Sequence, residues 1–203
     1  MQIKHLFFIL CLFTMVSYSR GQELSFSDSI KKYNDQRIAI NKTGLEVQGA
    51  WGLANIAAGS IGYFGAKEGE GKYFSEMNGI FGILNTGVSL TGLHMVKKQL
   101  AQKFTYAESY NWYCTDKKIY LIGAGIDIIY ISAGFGLAAY GLSAKSSADV
   151  YTGFGKSLAL QGVFLLLFDN IMLLEHGRNT NKWYRIMDEL RFTHNGVGFN
   201  YSF

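Results

Sequence analysis

Residues 156–176 read KSLALQGVFLLLFDNIMLLEH, and residues 162–174 within them are apolar except for an acid and an amide, Asp169 and Asn170. Placing an ionisable side chain in hydrocarbon costs roughly 2.5–3.5 kcal/mol even on lenient insertion scales. Such a residue is either held by partners or put to use. Three further apolar stretches share the habit, at about 45–66, 73–95 and 119–142. With 157–176 they predict an all-α, polytopic membrane four-helix bundle, since about 20 apolar residues cross a bilayer.

Composition agrees. Hydrophobic residues make up 49% of the 203 and charged ones 17%, against about 25% charged in soluble chains. Glycine numbers 24 and proline is absent, as suits close helix contacts in lipid. The net charge of +4 comes from lysines in the connections. No basic run or stacking motif accompanies it, so nucleic acid is set aside as a partner and the bilayer takes its place. Cys11 falls in the first apolar segment and Cys114 stands alone in the remainder, leaving no intramolecular disulfide. No P-loop, Ser/His/Asp constellation or Cys/His ligand spacing occurs, so no cofactor or metal is expected and nothing argues for an enzyme.

Taken in order, residues 1–21 read as a signal peptide. Lys4 and His5 precede an apolar core at 6–16, and Ser17, Ser19 and Gly21 allow cleavage before Gln22. Residues 22–44 form a polar interfacial segment, with Asn41 or Thr43 as a cap for the first span. Along that span Ala50, Ala54, Ala58, Gly62 and Ala66 recur every four residues, a small-residue stripe for helix packing or for a homo-oligomer. The second span carries Glu76, Asn78, Asn85 and His94. An aromatic cluster at 106–113 precedes the third span, for which Asp116 is the expected cap. The tail, 177–203, ends GVGFNYSF, where Val197, Phe199, Tyr201 and Phe203 alternate with polar or small residues. A short two-stranded pairing with residues 24–27 is expected. Deleting residues 196–203 separates a third class of function, an interaction module built on that tail.

Sliding the chain by 72 residues lays Asn55 on Asp127, Ser60 on Ser132 and Gly62 on Gly134. Sliding by 83 lays Asn78-Gly79-Ile80-Phe81 on Gln161-Gly162-Val163-Phe164. This pattern predicts two similar helical hairpins in one orientation. Counting ~1.5 Å per residue from the span ends then brings Asn55, Asn85, Asp127, Asp169 and Asn170 to one depth, a polar layer across the bundle. Two readings follow. Amides glue membrane helices at about 0.6–2 kcal/mol each, and of two carboxyls in a dry layer at least one is neutral. Alternatively, paired acids mark a proton or cation path, continued by His94, Glu175 and His176. A metal at Glu175, His176 and His94 is disfavoured, because adjacent helical residues point about 100° apart. Glu76, Asn78 and Gln161 are secondary polar candidates.

The runs GAWGLANIAAG (49–59), KYFSEMNGIFGILNTG (72–87), LIGAGIDIIYISAG (121–134) and GFGKSLALQGVFLLLFD (153–169) together resemble an uncharacterised family of small membrane proteins from Bacteroidetes, a domain of unknown function. The resemblance implies a four-helix membrane domain after a signal peptide. It highlights Asn55, Glu76, Asn78, Asp127, Gln161, Gly162 and Asp169, and carries no activity or substrate. A scaffold-like membrane protein of the cell envelope is therefore the leading expectation, and a small proton- or cation-linked transporter the alternative.

Two topology signals conflict. A cleaved signal peptide places both mature termini outside the cytoplasm, in an inner-membrane protein. That side then carries 13 Lys and Arg against 4 on the other, the reverse of the positive-inside tendency. The three-part signal layout is the more specific of the two and sets the expected orientation. Alkaline phosphatase fused after Phe203 is accordingly expected to be active, and an inactive fusion present at normal level overturns that orientation.

Overall fold

The computed structural model describes the backbone of residues 2–193 and 196–199, with side chains for residues 27–181 and Tyr184. Four helices carry the fold: α1 (Gln2–Gly65), α2 (Glu70–Leu100), α3 (Tyr106–Ser143) and α4 (Ala148–Glu189). Without proline, nothing in the sequence removes a backbone donor inside them. Their ends are marked by local chemistry. Gly69 breaks the chain between α1 and α2 with φ 140°, and Ser147, with φ 58°, does so between α3 and α4. Thr105 caps α3 in a reciprocal box with Glu108. The bonds Glu108 accepts from Thr105 hold its carboxyl below the usual carboxylate range.

Connections this short force antiparallel neighbours. One end of the bundle holds the two turns at 66–69 and 144–147. The opposite, open end holds the α2–α3 connection, the start of the described α1 side chains and the end of α4. The two halves pack in the same register. Gly59 faces Gly79 in the first hairpin, and the shifts of 72 and 83 carry that contact onto Ile131 facing Gly162 in the second. α4 lies centrally and touches all three other helices, whereas α3 packs almost wholly on α4.

α2, α3 and the first 34 residues of α4, Ala148–Asn181, are each long and apolar enough to cross a membrane. Among the described residues α1 falls short of that measure, because Gln48, Asn55 and many small residues dilute its apolar stretch. Large apolar side chains stay exposed around all four helices, including Leu53 and Phe64 on α1, Ile83 on α2, Leu121 on α3 and Leu167 on α4. At ~1.5 Å per residue, helices of 31–42 residues exceed a ~30 Å hydrocarbon slab. The excess collects at the open end, where the α1 surface at 28–46 is charged.

Several expectations are corrected here. Residues 22–44 continue α1 without a break, so Asn41 and Thr43 cap nothing. Residues 24–27 are helical; β1 (Leu190–Thr193) pairs instead with β2 (Gly196–Phe199), antiparallel, Leu190 opposite Phe199. Residues 200–203 of the expected strand lie outside the described set. Asp116 sits nearly three turns inside α3 and is buried. Ala50, Ala54, Ala58 and Ala66 are exposed, so that stripe does not pack the chain on itself. Four residues advance about 400° around a helix, so the ladder swings by about 40° per step and leaves any one face. Seven residues drift by only ~20°. The close contacts accordingly follow seven-residue pairs: Gly52 and Gly59, Gly134 and Gly141, Gly155 and Gly162.

A Cβ on Gly134 would run into the backbone of Gly155 and Ala159, whereas one on Gly136 would meet open space. Gly134→Ala is expected to lose about 1–3 kcal/mol through overpacking. Gly136→Ala should match the native chain or gain slightly. Thermal unfolding in detergent separates the two, and equal melting would contradict the seven-residue seam.

Candidate functional site

Three groups of buried polar side chains lie along the bundle. The innermost is built around Gln161 of α4, whose side chain is fully buried. Its amide nitrogen donates to Asn55 Oδ1 at 2.7 Å and Asn78 Oδ1 at 2.8 Å. Its carbonyl accepts from the Trp51 indole at 2.8 Å. Ser157 donates to Asn78 Oδ1 at 2.7 Å. Both donors of the Gln161 amide and its carbonyl oxygen are used, three bonds that join α4 to α1 and α2.

The second group lies toward the open end. Gln48 donates to Asn85 Oδ1 at 3.2 Å, and Asn85 donates to the Phe81 carbonyl at 3.0 Å. On the α3–α4 side, Asp127 and Asp169 turn their carboxyl groups to each other. Asp169 occupies the space that Gly123 leaves open. Asp127 is 3% exposed, and its Oδ2 is buried without an N–H or O–H donor from another residue. A hydrogen bond between two carboxyls requires a proton on one of them.

The single layer expected from the sequence thus divides. Asn55 joins Asn78 and Gln161, Asn85 joins Gln48, and Asp127 joins Asp169, whose position is eight residues, about two turns, along α4 from Gln161. Asn170 is exposed and bonds its own helix at the Leu166 carbonyl. Glu76 is half-buried and His94 exposed. Among the described residues no three His, Cys, Asp or Glu side chains converge as metal ligands.

The third group, at the open end, is the one sequence reasoning missed. Arg37 is fully buried, and each of its three guanidinium nitrogens donates a hydrogen bond. It donates to Asp116 Oδ2 at 3.2 Å, to Gln99 Oε1 at 2.9 Å and to Asn34 Oδ1 at 3.3 Å. Its plane lies over the Trp112 ring, 5.0 Å from the centroid, with Phe104 at 5.5 Å. Asn41 donates to Asp116 Oδ1 at 3.2 Å and accepts from the Tyr120 hydroxyl at 3.0 Å. His176 Nε2 lies 2.9 Å from the same Asn41 oxygen, and its ring stacks on Tyr120. Burial, aided by the Asp116 charge, pushes the Tyr33 hydroxyl well above the ordinary phenol range. Glu175, beside His176, points outward and pairs with Arg178.

Most of these side chains come from stretches that read as polar connections, 33–41, 99 and 104–116, while Tyr120 and His176 stand at the ends of the third and fourth spans. A signal was present. Asn34, Arg37 and Asn41 share one helical face, as do Ser109, Asp116 and Tyr120. A buried arginine and a buried acid on parallel helices suit each other, and no third charge is needed.

The model of a family of unknown function, DUF6992, matches residues 47–170. No curated protein and no solved structure matches the chain. The chain belongs to the DUF6992 family. The match takes in the amide cluster and the carboxyl pair, and leaves Arg37 and His176 outside it.

Removing one partner of a buried ion pair strands the other charge and costs about 3–5 kcal/mol, whereas replacing both with apolar side chains is often neutral. Asp116→Ala is expected to destabilise the chain by that amount, and Arg37→Met with Asp116→Leu to regain most of it. Differential scanning calorimetry of the two variants in detergent tests this. A double variant as unstable as the single one would mean that the cluster supplies more than charge neutralisation.

Proposed function

We propose that this DUF6992 member is an integral membrane protein of the cell envelope with a scaffold-like role. In this reading a signal peptide is cleaved before Gln22, four helices cross the inner membrane, and both mature termini lie outside the cytoplasm. Residues 45–65 of α1 supply the fourth span, level with the apolar belt of the other three and exposing Val47, Leu53, Ile61 and Phe64 to lipid. The outward alanine ladder leaves α1 able to meet a second copy.

One observation carries the scaffold reading: Gln161 is completely buried and bonded to α1 and α2 through every polar atom it has. Interhelical bonds of this kind contribute about 0.6–2 kcal/mol each and fix register, since a slipped helix would leave amides unpaired in hydrocarbon. A passage for solutes would instead need polar groups free to exchange partners.

A second reading rests on a different observation, the unpartnered Asp127 oxygen beside the Asp169 carboxyl. A pair that already needs a proton could relay one.

Replacing both acids, Asp127→Asn with Asp169→Asn, discriminates. For a scaffold, the variant should sustain growth of a deletion strain under envelope stress as well as the native gene, and Gln161→Leu should fail by losing the assembled bundle. Should the double asparagine variant melt normally yet fail to complement, the scaffold reading falls and the proton path replaces it.

A further inference from the structure

His176 stands where α4 leaves its apolar stretch, with its ring buried against α1 and α3. The neighbours settle which ring nitrogen carries the hydrogen. Asn41 donates its amide to Asp116 Oδ1 at 3.2 Å, so its oxygen is turned to the other side and only accepts. That oxygen takes the Tyr120 hydroxyl and lies 2.9 Å from His176 Nε2. Nε2 therefore holds the hydrogen, and Nδ1 is left bare. Nδ1 faces Asp116 Oδ2 from 4.0 Å, two acceptors with no proton between them.

The charge balance around the ring decides what a second proton does. Arg37 faces it from α1, Asp116 and Tyr120 face it from α3, and Glu175 stands beside it on α4. From α2 comes Gln99, an amide bonded to Arg37. Glu175 is turned outward to Arg178, and the charge of Asp116 is already matched by Arg37 at 3.2 Å. Arg37 is itself fully buried and held by three partners. A protonated ring thus leaves the cluster with one positive charge in excess, in a place nearly closed to water. A charge so placed is costly, and the cost is avoided when the ring turns out to solvent. Solvent is within reach, since α4 already exposes Arg178 one half-turn further on.

We propose that His176 is a latch that acid releases: a proton on its ring frees the end of α4, from residue 176 onward, from α1 and α3. The Asn179 bond to the Tyr33 carbonyl, 3.1 Å long, is lost with it. Gln161, about four turns back along α4, is bonded to α1 and α2 through groups that do not titrate, and keeps the rest of the bundle assembled. Acidification therefore changes what the open end presents, including the segment that leads into β1 and β2, without dissolving the fold. The latch goes beyond both the scaffold and the proton-path readings and needs neither.

Hydrogen–deuterium exchange of the full chain in detergent, corrected for the intrinsic pH dependence of exchange, tests it. The range runs from about pH 8 to about pH 5, either side of the ordinary histidine value of ~6.5. Backbone amides at 176–181 should exchange about tenfold faster in acid, and those at 157–164 should stay slow throughout. His176→Gln, which keeps a donor for Asn41 and takes up no proton, should stay slow at 176–181 in acid. His94→Gln, at an exposed position on α2, should respond as the native chain does. Ring nitrogen chemical shifts of the native chain give a second reading that needs no variant. His176 should carry its hydrogen on Nε2 at the alkaline end, and gain the second proton over the range in which 176–181 loosen. Equal exchange at the two extremes, a His176→Gln chain that still loosens in acid, simultaneous loosening of 157–164, a hydrogen on Nδ1, or a ring that titrates outside that range each overturns the latch.

Discussion

At Gly59 and Gly79 the backbones of α1 and α2 approach so closely that an added Cβ would lie 2.6 Å from a backbone nitrogen. This closeness sets what else the bundle can contain. Between helices so near each other little room is left for side chains, and the chain places short polar ones opposite several of its glycines. Gly49 faces Ser89, Gly62 faces Ser75, Gly141 faces Thr152 and Gly123 faces Asp169. A glycine in a helix interior is unfavourable by about 0.5–1 kcal/mol relative to alanine. The close approach offsets that with dispersion contacts along the seam, and it brings hydroxyls and carboxyls within reach of the opposite backbone, as where Ser89 donates to the Leu45 carbonyl at 2.7 Å. Apolar helices in an apolar solvent gain little from burial, so packing and hydrogen bonds must hold them.

The open end obeys a different rule. There α1 and α3 are joined by side chains, Asn34 to Ser109, Arg37 to Asp116 and Tyr120 to Asn41. A single buried charge pair would be weak evidence for stability, because desolvation opposes the attraction. Here each of the three guanidinium nitrogens has a hydrogen-bond partner, and two aromatic rings lie against it. The cluster ties the second hairpin to the first at the level where the glycine seams have ended.

Helix number, hairpin pairing and internal duplication were legible in the sequence, because 3.6-residue periodicity and small-residue content act locally. The polar residues that matter in the interior were legible as residue types, for the same reason that an acid in hydrocarbon is conspicuous. Their partners were not. Assigning depth by counting from span ends assumed helices that stop where the apolar stretches stop, whereas α1, α3 and α4 continue through the flanking polar stretches. Asn85 therefore meets Gln48 rather than Asn55, and Asn170, one position from Asp169, turns outward. Arg37 was hidden by its setting: a charged residue in a polar stretch is unremarkable until three other polar stretches close around it. The alanine ladder does not pack within the chain, because a four-residue repeat rotates off the seam that a seven-residue repeat follows.

The duplication also accounts for the one acid whose oxygen is left over. Under the two shifts Asn55 corresponds to Asp127 and Asn78 to Gln161. A symmetric bundle would therefore repeat the neighbourhood of Asn55 and Asn78 as Asp127 beside Gln161. Glutamine is one methylene longer than asparagine, and Gln161 spends that reach on the other hairpin, bonding both Asn55 and Asn78 at once. Asp127 is thereby deprived of the amide that its counterpart enjoys. Its carboxyl faces Asp169, which Gly123 admits. The side chain that joins the two hairpins is thus spent on Asn55 and Asn78, and Asp127 faces another acid in place of an amide.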